Sequence, residues 1–126
     1  MIAGLDHVLL AAPPGSEQAL RAFYTEALGM TELTKPPVLA GRGGCWFGAG
    51  SAVLHLGIEE GYTPPRKAHP GIRVAGIHDF AKRLEGHGVP VVWDYDLPGH
   101  TRFYAKDPVG NRLEFLEPTD MKQPSS

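Results

Sequence analysis

The chain alternates apolar and polar positions in short runs that Gly and Pro interrupt. Leu5 to Ala11 sets Leu5, His7 and Leu9 against Asp6, Val8 and Leu10, a period of two that predicts a strand stopped by Pro13-Pro14-Gly15. The period then lengthens. Leu20, Phe23, Tyr24, Ala27 and Leu28 form one stripe of a helix, with Ser16 placed to cap it, Glu17 in its first turn and Gly29 as its stop. Two short strands, about Thr31 to Thr34 and Gly44 to Phe47, flank a loop containing Pro36-Pro37 and Gly41, and Ala52 to Ile58 reads as a fourth strand with Val53, His55 and Gly57 on one face. Glu59 to Lys67, with Gly61 and Pro64-Pro65 inside it, reads as a linker.

After the linker the same grammar restarts. His69 to Val74 is predicted as a strand that Pro70 keeps extended, with His69, Gly71 and Arg73 on one face. A second helix follows, capped by His78 or Asp79, with Phe80, Ala81 and Leu84 as its stripe and Gly86 to Gly88 as its end. Strands at Val89 to Asp94, Thr101 to Ala105 and Arg112 to Leu116 complete the pattern, the last two joined through Asp107-Pro108-Val109-Gly110-Asn111, whose residues suit a tight turn. The order strand, helix, three strands therefore occurs twice. Position 69 minus 7 is 62, 88 minus 29 is 59 and 114 minus 55 is 59, so His7 and His69, Gly29 and Gly88, and His55 and Glu114 hold equivalent places in the two halves. The expected fold class is α+β: one domain over residues 1–126, with two βαβββ modules in tandem, about 4–60 and 68–118. Together they form a curved mixed sheet around a cleft, with the helices on the outer face.

Composition narrows the class of function. With 126 residues, 42% hydrophobic and 21% charged, and a formal net charge of -2, the chain has the make-up of a globular domain, and no basic excess points to nucleic acid or an anionic membrane. The N-terminal apolar run is short and broken by Asp6 and His7, and no apolar segment approaches the roughly 20 residues a bilayer needs. Cys45 is the only cysteine, which precludes an intrachain disulfide or a cysteine zinc cluster; a cytoplasmic location is the expectation.

Alternation in the last strand puts Arg112, Glu114 and Leu116 on the face opposite Leu113 and Phe115. Taken alone, Glu114 reads as a solvated charge on an open sheet face. Its place in the repeat adds a second reading: His7, His55, His69 and Glu114, each from an equivalent strand, would make a divalent-metal site held by rigid strands, with positions left open for water or substrate.

The chain from Leu5 to Pro118 resembles the vicinal oxygen chelate superfamily of glyoxalase I, fosfomycin-resistance transferases, extradiol dioxygenases and bleomycin-resistance proteins. The resemblance is carried by Leu5-Asp6-His7-Val8, Phe23-Tyr24 through Leu28-Gly29, Ala52-Val53-Leu54-His55-Leu56, Ala68-His69-Pro70, and above all Phe103-Tyr104 with Asp107-Pro108-Val109-Gly110-Asn111-Arg112-Leu113-Glu114. It implies that His7, His69 and Glu114 are metal ligands, and that His55 stands where glyoxalase I has a further ligand, normally Glu. It implies a divalent ion (Fe, Mn, Ni or Zn), a small-molecule substrate and a metal-dependent enzyme of the glyoxalase/dioxygenase type, a lyase or isomerase or a ring-cleaving dioxygenase with His7, His69 and Glu114 as its triad. A metal-free ligand-sequestering protein of the bleomycin-resistance type is the alternative. Glu114 is the candidate base. Tyr104, which aligns with a substrate-side tyrosine of fosfomycin-resistance relatives, and Arg102 are the other candidate catalytic residues, against ordinary cross-strand packing as the bland reading. Arg73 could hold an anionic group or pair with a surface carboxylate. His78 and His87 read as helix-end residues, while His100 reaches a substrate only if its loop folds inward. Trp46, Phe47, Trp93 and Phe115 read as core aromatics, with a pocket lining as the alternative. Relatives of this length commonly pair the first half of one chain with the second half of another, so a homodimer with shared sites is expected.

Overall fold

The strands of the computed structural model, which describes residues 1–119, fall into two four-stranded mixed sheets. The first contains β1 (Val8–Ala12), β2 (Thr31–Leu33), β3 (Cys45–Ala49) and β4 (Ala52–Ile58) in the order β1-β4-β3-β2. The second contains β5 (Gly71–Arg73), β6 (Val92–Asp94), β7 (His100–Lys106) and β8 (Arg112–Pro118) in the order β5-β8-β7-β6. In each, the first strand pairs parallel with the last and the remaining neighbours are antiparallel. The crossover to the parallel partner carries a helix, as parallel pairing requires. The tandem βαβββ expectation therefore holds at the level of topology.

The chain divides into two units, Met1–Pro65 with Asp107–Asn111, and Arg66–Lys106 with the chain from Arg112 onward. The first division falls inside the predicted linker.

In the first unit, α1 (Glu17–Arg21) runs straight into a π-helical segment, Ala22–Ala27. The stripe expected from periodicity is the buried one: Leu20, Phe23, Tyr24, Ala27 and Leu28. Gly29, at φ 77°, lets the Met30 N–H turn back to the Tyr24 carbonyl at 2.9 Å and close the helix. The π widening leaves no mark on apolar spacing, so it was not predicted. Ser16 stands at the helix start but donates its hydroxyl to the Pro13 carbonyl, so it closes the preceding turn and gives no side-chain cap. The 36–44 loop contains one short helix, α2 (Pro37–Ala40), with Pro at its first position. At Gly44 the chain passes so close to β4 that a Cβ would stand 2.1 Å from the Leu56 carbonyl oxygen, which only glycine permits.

In the second unit, α3 (Ile77–Gly86) lays Ile77, Ala81 and Leu84 into a core with Phe103, Leu113 and Phe115. Phe80 packs 5.1 Å from Phe115, and Phe103 stands 5.2 Å from Phe115, ring centre to ring centre. Each such aromatic contributes about 1.5–3 kcal/mol by leaving water. The predicted cap at His78 or Asp79 is displaced. The helix begins at Ile77 behind Gly76, which takes φ 67°, and the Glu117 carboxylate accepts both the Gly76 and Ile77 N–H groups at 2.9 and 3.1 Å. A carboxylate from 40 residues away thus does the work expected of a local cap. Strand β6 starts later than expected because Pro90 brings no N–H to the ladder.

The Asp107–Asn111 turn belongs to the first unit and is tied into it by buried bonds. Asp107 Oδ1 accepts the N–H groups of Val109 and Asn111, and its Oδ2 accepts Tyr24 O–H at 2.7 Å and Asn111 Nδ2 at 3.0 Å. Asn111 Nδ2 also donates to the Ala11 carbonyl, and its Oδ1 accepts Tyr62 O–H. Every buried polar group of the turn is therefore partnered, as burial demands. Among the described residues no helix is long and apolar enough to cross a membrane.

Candidate functional site

Two pairs of the predicted donors assemble, one in each unit. In the first unit, His7 precedes β1 and stacks on His55 of β4, ring centres 3.9 Å apart, and His55 stacks in turn on Trp46, its cross-strand partner on β3, also at 3.9 Å. The expectation that Trp46 is core is corrected: it is half-buried and forms the floor of an imidazole stack, whereas Phe47 is the core residue of that strand. Asp6 Oδ1 stands 2.9 Å from His7 Nδ1. A carboxylate only accepts, so the His7 proton sits on Nδ1 and Nε2 carries a free lone pair. Burial, and secondarily the neighbouring His7, push the His55 imidazole below its usual pKa, which favours the neutral, metal-binding form.

In the second unit, His69, two residues ahead of β5 and not inside it as expected, meets Glu114 of the parallel neighbour β8, with His69 Nε2 3.0 Å from Glu114 Oε1. His69 Nδ1 lies 2.6 Å from the Lys67 carbonyl, which can only accept. Nδ1 therefore carries a proton and, in the neutral ring, Nε2 points a lone pair at a carboxylate oxygen. The other carboxylate oxygen, Oε2, accepts Arg102 Nη1 at 3.1 Å, while Arg102 Nε and Nη2 both donate to Asp94 Oδ1 at 3.1 and 3.0 Å. Register explains the cluster: Asp94 faces Arg102 and Tyr104 faces Glu114 across successive strand pairs. Glu114 is only 9% exposed, so the expected solvated charge is instead a buried carboxylate compensated by Arg102. The Tyr104 ring meets His69 edge-on at 5.4 Å.

Two residues of this neighbourhood, Asp94 and Lys67, escaped sequence reasoning. Asp94 needs the β6–β7 register, which the turn at 95–99 does not reveal. The Lys67 carbonyl is a backbone group with no sequence signal. Arg112 was legible, since alternation puts it on the Glu114 face; its guanidinium stacks over Tyr104 at 4.1 Å. Of the residues set aside, His78 stacks on Trp93 and His100 Nδ1 lies 3.2 Å from the Pro98 carbonyl, whereas Arg73 is exposed on β5. Phe115 lies in the core as expected. Among the described residues no three His, Cys, Asp or Glu side chains form one metal-holding group.

Residues 4–115 match the family model of the Glyoxalase/Bleomycin resistance protein/Dioxygenase superfamily. The chain belongs to that superfamily. A putative glyoxalase family protein from Bacillus anthracis is 45% identical, with a TM-score of 0.92, over 94% of this chain and 98% of that one. Two more distant structures share the fold: the fosfomycin resistance protein FosX from Listeria monocytogenes, 15% identical with a TM-score of 0.75 over 94% and 96% of the two chains, and TnmS3, an antibiotic binding protein from Streptomyces, 22% identical with a TM-score of 0.73 over 94% and 98%. Among curated proteins there is no match. For this superfamily member, the βαβββ repeat thus accounts for the equivalent placing of its two donor pairs.

Proposed function

We propose that the protein is a metal-dependent enzyme of the glyoxalase/dioxygenase type, in which His7, His55, His69 and Glu114 hold a divalent ion and a small substrate offers it adjacent oxygens. The observation that carries this reading is the His69–Glu114 contact. A lone pair facing a carboxylate oxygen at 3.0 Å is repulsive unless a proton or a cation lies between them. Two donors bound to one ion at ~2.1 Å stand about 3 Å apart, so the pair fits a cation as it is. His7 supports the same reading, because its Nδ1 is engaged and its Nε2 is free.

The chemistry such an ion supplies is electrophilic, the polarisation of a carbonyl or the stabilisation of a developing oxyanion. The chain's own residues do the rest. The Lys67 carbonyl fixes the His69 ring, and the Trp46 stack fixes His55. Arg102, itself held by Asp94, keeps Glu114 Oε2 occupied and so leaves Oε1 as the oxygen that would hold the ion and, only when released from it, could take or return a proton. Tyr104 walls the substrate side of His69.

The working unit in this proposal is a homodimer, with His7 and His55 of one copy completing the His69 and Glu114 of its partner. It rests on the two half-sets lying in separate units and on an exposed apolar side chain at a sheet edge: Leu9 on β1 is 64% exposed.

One observation favours a second reading, metal-free sequestration of a ligand. Arg102 already gives the Glu114 carboxylate a cation, and a doubly protonated His69 would give it another. Elemental analysis of protein purified without chelator decides between them. Bound Fe, Mn, Ni or Zn in the wild type, lost or weakened in Glu114→Gln, is expected, together with a rise in Tm when metal is returned to the stripped wild type. Equal, negligible metal in both proteins and no rise in Tm would leave the sequestering reading.

A further inference from the structure

Beside the His69–Glu114 pair, the second unit contains a cavity of about 320 Å³ lined by Pro90, Val92, Tyr104, Ala105, Lys106 and Arg112. Its volume lies at the lower end of the range of small-molecule sites. Pro90, Val92, Ala105 and the Tyr104 ring make its walls apolar, and the two charged groups on it, Lys106 and Arg112, are both cations, brought opposite each other by the β7–β8 register. Among the described residues no carboxylate bonds to either. Arg112 rests on the Tyr104 ring, an attraction that aligns the guanidinium without using its N–H donors. Arg102, by contrast, spends its donors on Asp94 and Glu114. Tyr104 is common to both places, since the same ring meets His69 edge-on.

We infer that this cavity is the subsite for the body of a small monocarboxylic acid with an apolar, aromatic-sized side chain, whose carboxylate is taken by Arg112 and Lys106. The inference rests on the proposed function for its reacting end only. A planar carboxylate matches the Arg112 fork, and Lys106 adds a point charge. The apolar walls exclude a second charge, so dianionic or zwitterionic acids are disfavoured. Tyr104 touches both Arg112 and His69, so an acid whose carboxylate is held here can extend past the ring toward the His69–Glu114 pair.

The test uses the full-length protein stripped of metal in chelator, so that its outcome is independent of whether an ion binds. 3-Phenylpropanoate and the isosteric neutral 3-phenylpropanamide are compared by calorimetry and by amide chemical-shift mapping. The acid is expected to bind at least about tenfold more tightly than the amide, with shifts at Val92, Tyr104 and Arg112. Arg112→Met should remove about that factor for the acid and leave the amide unchanged. Lys106→Met should weaken the acid less. Equal affinity for acid and amide, shifts centred elsewhere, or an Arg112→Met protein that binds the acid like wild type would overturn the inference. Should Arg112→Met fail to fold, the wild-type comparison of acid with amide decides alone. Failure of the metal reading shows instead as absent metal in both wild type and Glu114→Gln.

Discussion

Replacing Tyr24 by Phe isolates the bond that anchors the Asp107–Asn111 turn. Phe keeps the ring where it stacks on Phe47 at 5.0 Å and meets Phe23 edge-on at 4.9 Å, so the change deletes one hydroxyl and little packing. That hydroxyl is fully buried and donates at 2.7 Å to Asp107 Oδ2, which keeps Asn111 Nδ2 as its remaining partner. A bond to a charged group is worth about 1.5–3 kcal/mol, and part is recovered because Oδ2 is not orphaned, so a loss of about 2 kcal/mol is expected. In a chain of this size that corresponds to a fall in Tm on the order of 8 °C. Urea unfolding measures it, with wild type and variant compared at one protein concentration. A second signature comes from pH. Burial, and then the Asp107 charge, raise the Tyr24 pKa well above the usual 10.0. A folded-state pKa above the unfolded one gives stability that is complete below about pH 10 and is lost as pH rises beyond it. Wild type should therefore lose stability above pH 10 more steeply than Tyr24→Phe. Tyr62, also raised, is present in both proteins and cancels. A loss under about 0.5 kcal/mol, with parallel alkaline limbs, would refute the network's role.

Two further expectations follow from the donor pairs. Mixing His7→Ala with Glu114→Gln by refolding should form heterodimers in which one site carries both lesions and the other neither, restoring metal to one of the two sites of each heterodimer; a monomer by light scattering, or no recovery with dimers intact, would place the donors within one chain. His55 has a folded-state pKa below its ordinary 6.5, so its contribution to stability is present above that value and lost as pH falls through the lowered one; His55→Phe should flatten the stability profile on the acid side of pH 6.5, and an unchanged profile would show that His55 titrates as it does in the unfolded chain.

The sequence alone determined the repeat, because apolar period and turn residues act locally: the helix stripes, the linker at 59–67 and the strand order all follow from side-chain spacing. It also determined that His55 and Glu114 occupy matching strands, since a two-residue strand period fixes faces without reference to contacts, whereas His7 and His69, expected inside the first strand of each half, stand just ahead of β1 and β5. What stands between those side chains was decided only by tertiary structure. The Arg102 clamp on Glu114 and Asp94 depends on the register of three strands, which a one-residue slip would abolish. The start of α3 was set by Glu117, a residue far along the chain that local capping rules cannot see. The proton on His69 Nδ1 was set by the Lys67 carbonyl. The residues of the two pairs, His7 with His55 and His69 with Glu114, were thus legible in the sequence, and their electrostatic state was not, because charge and protonation depend on which groups the fold brings within bonding distance.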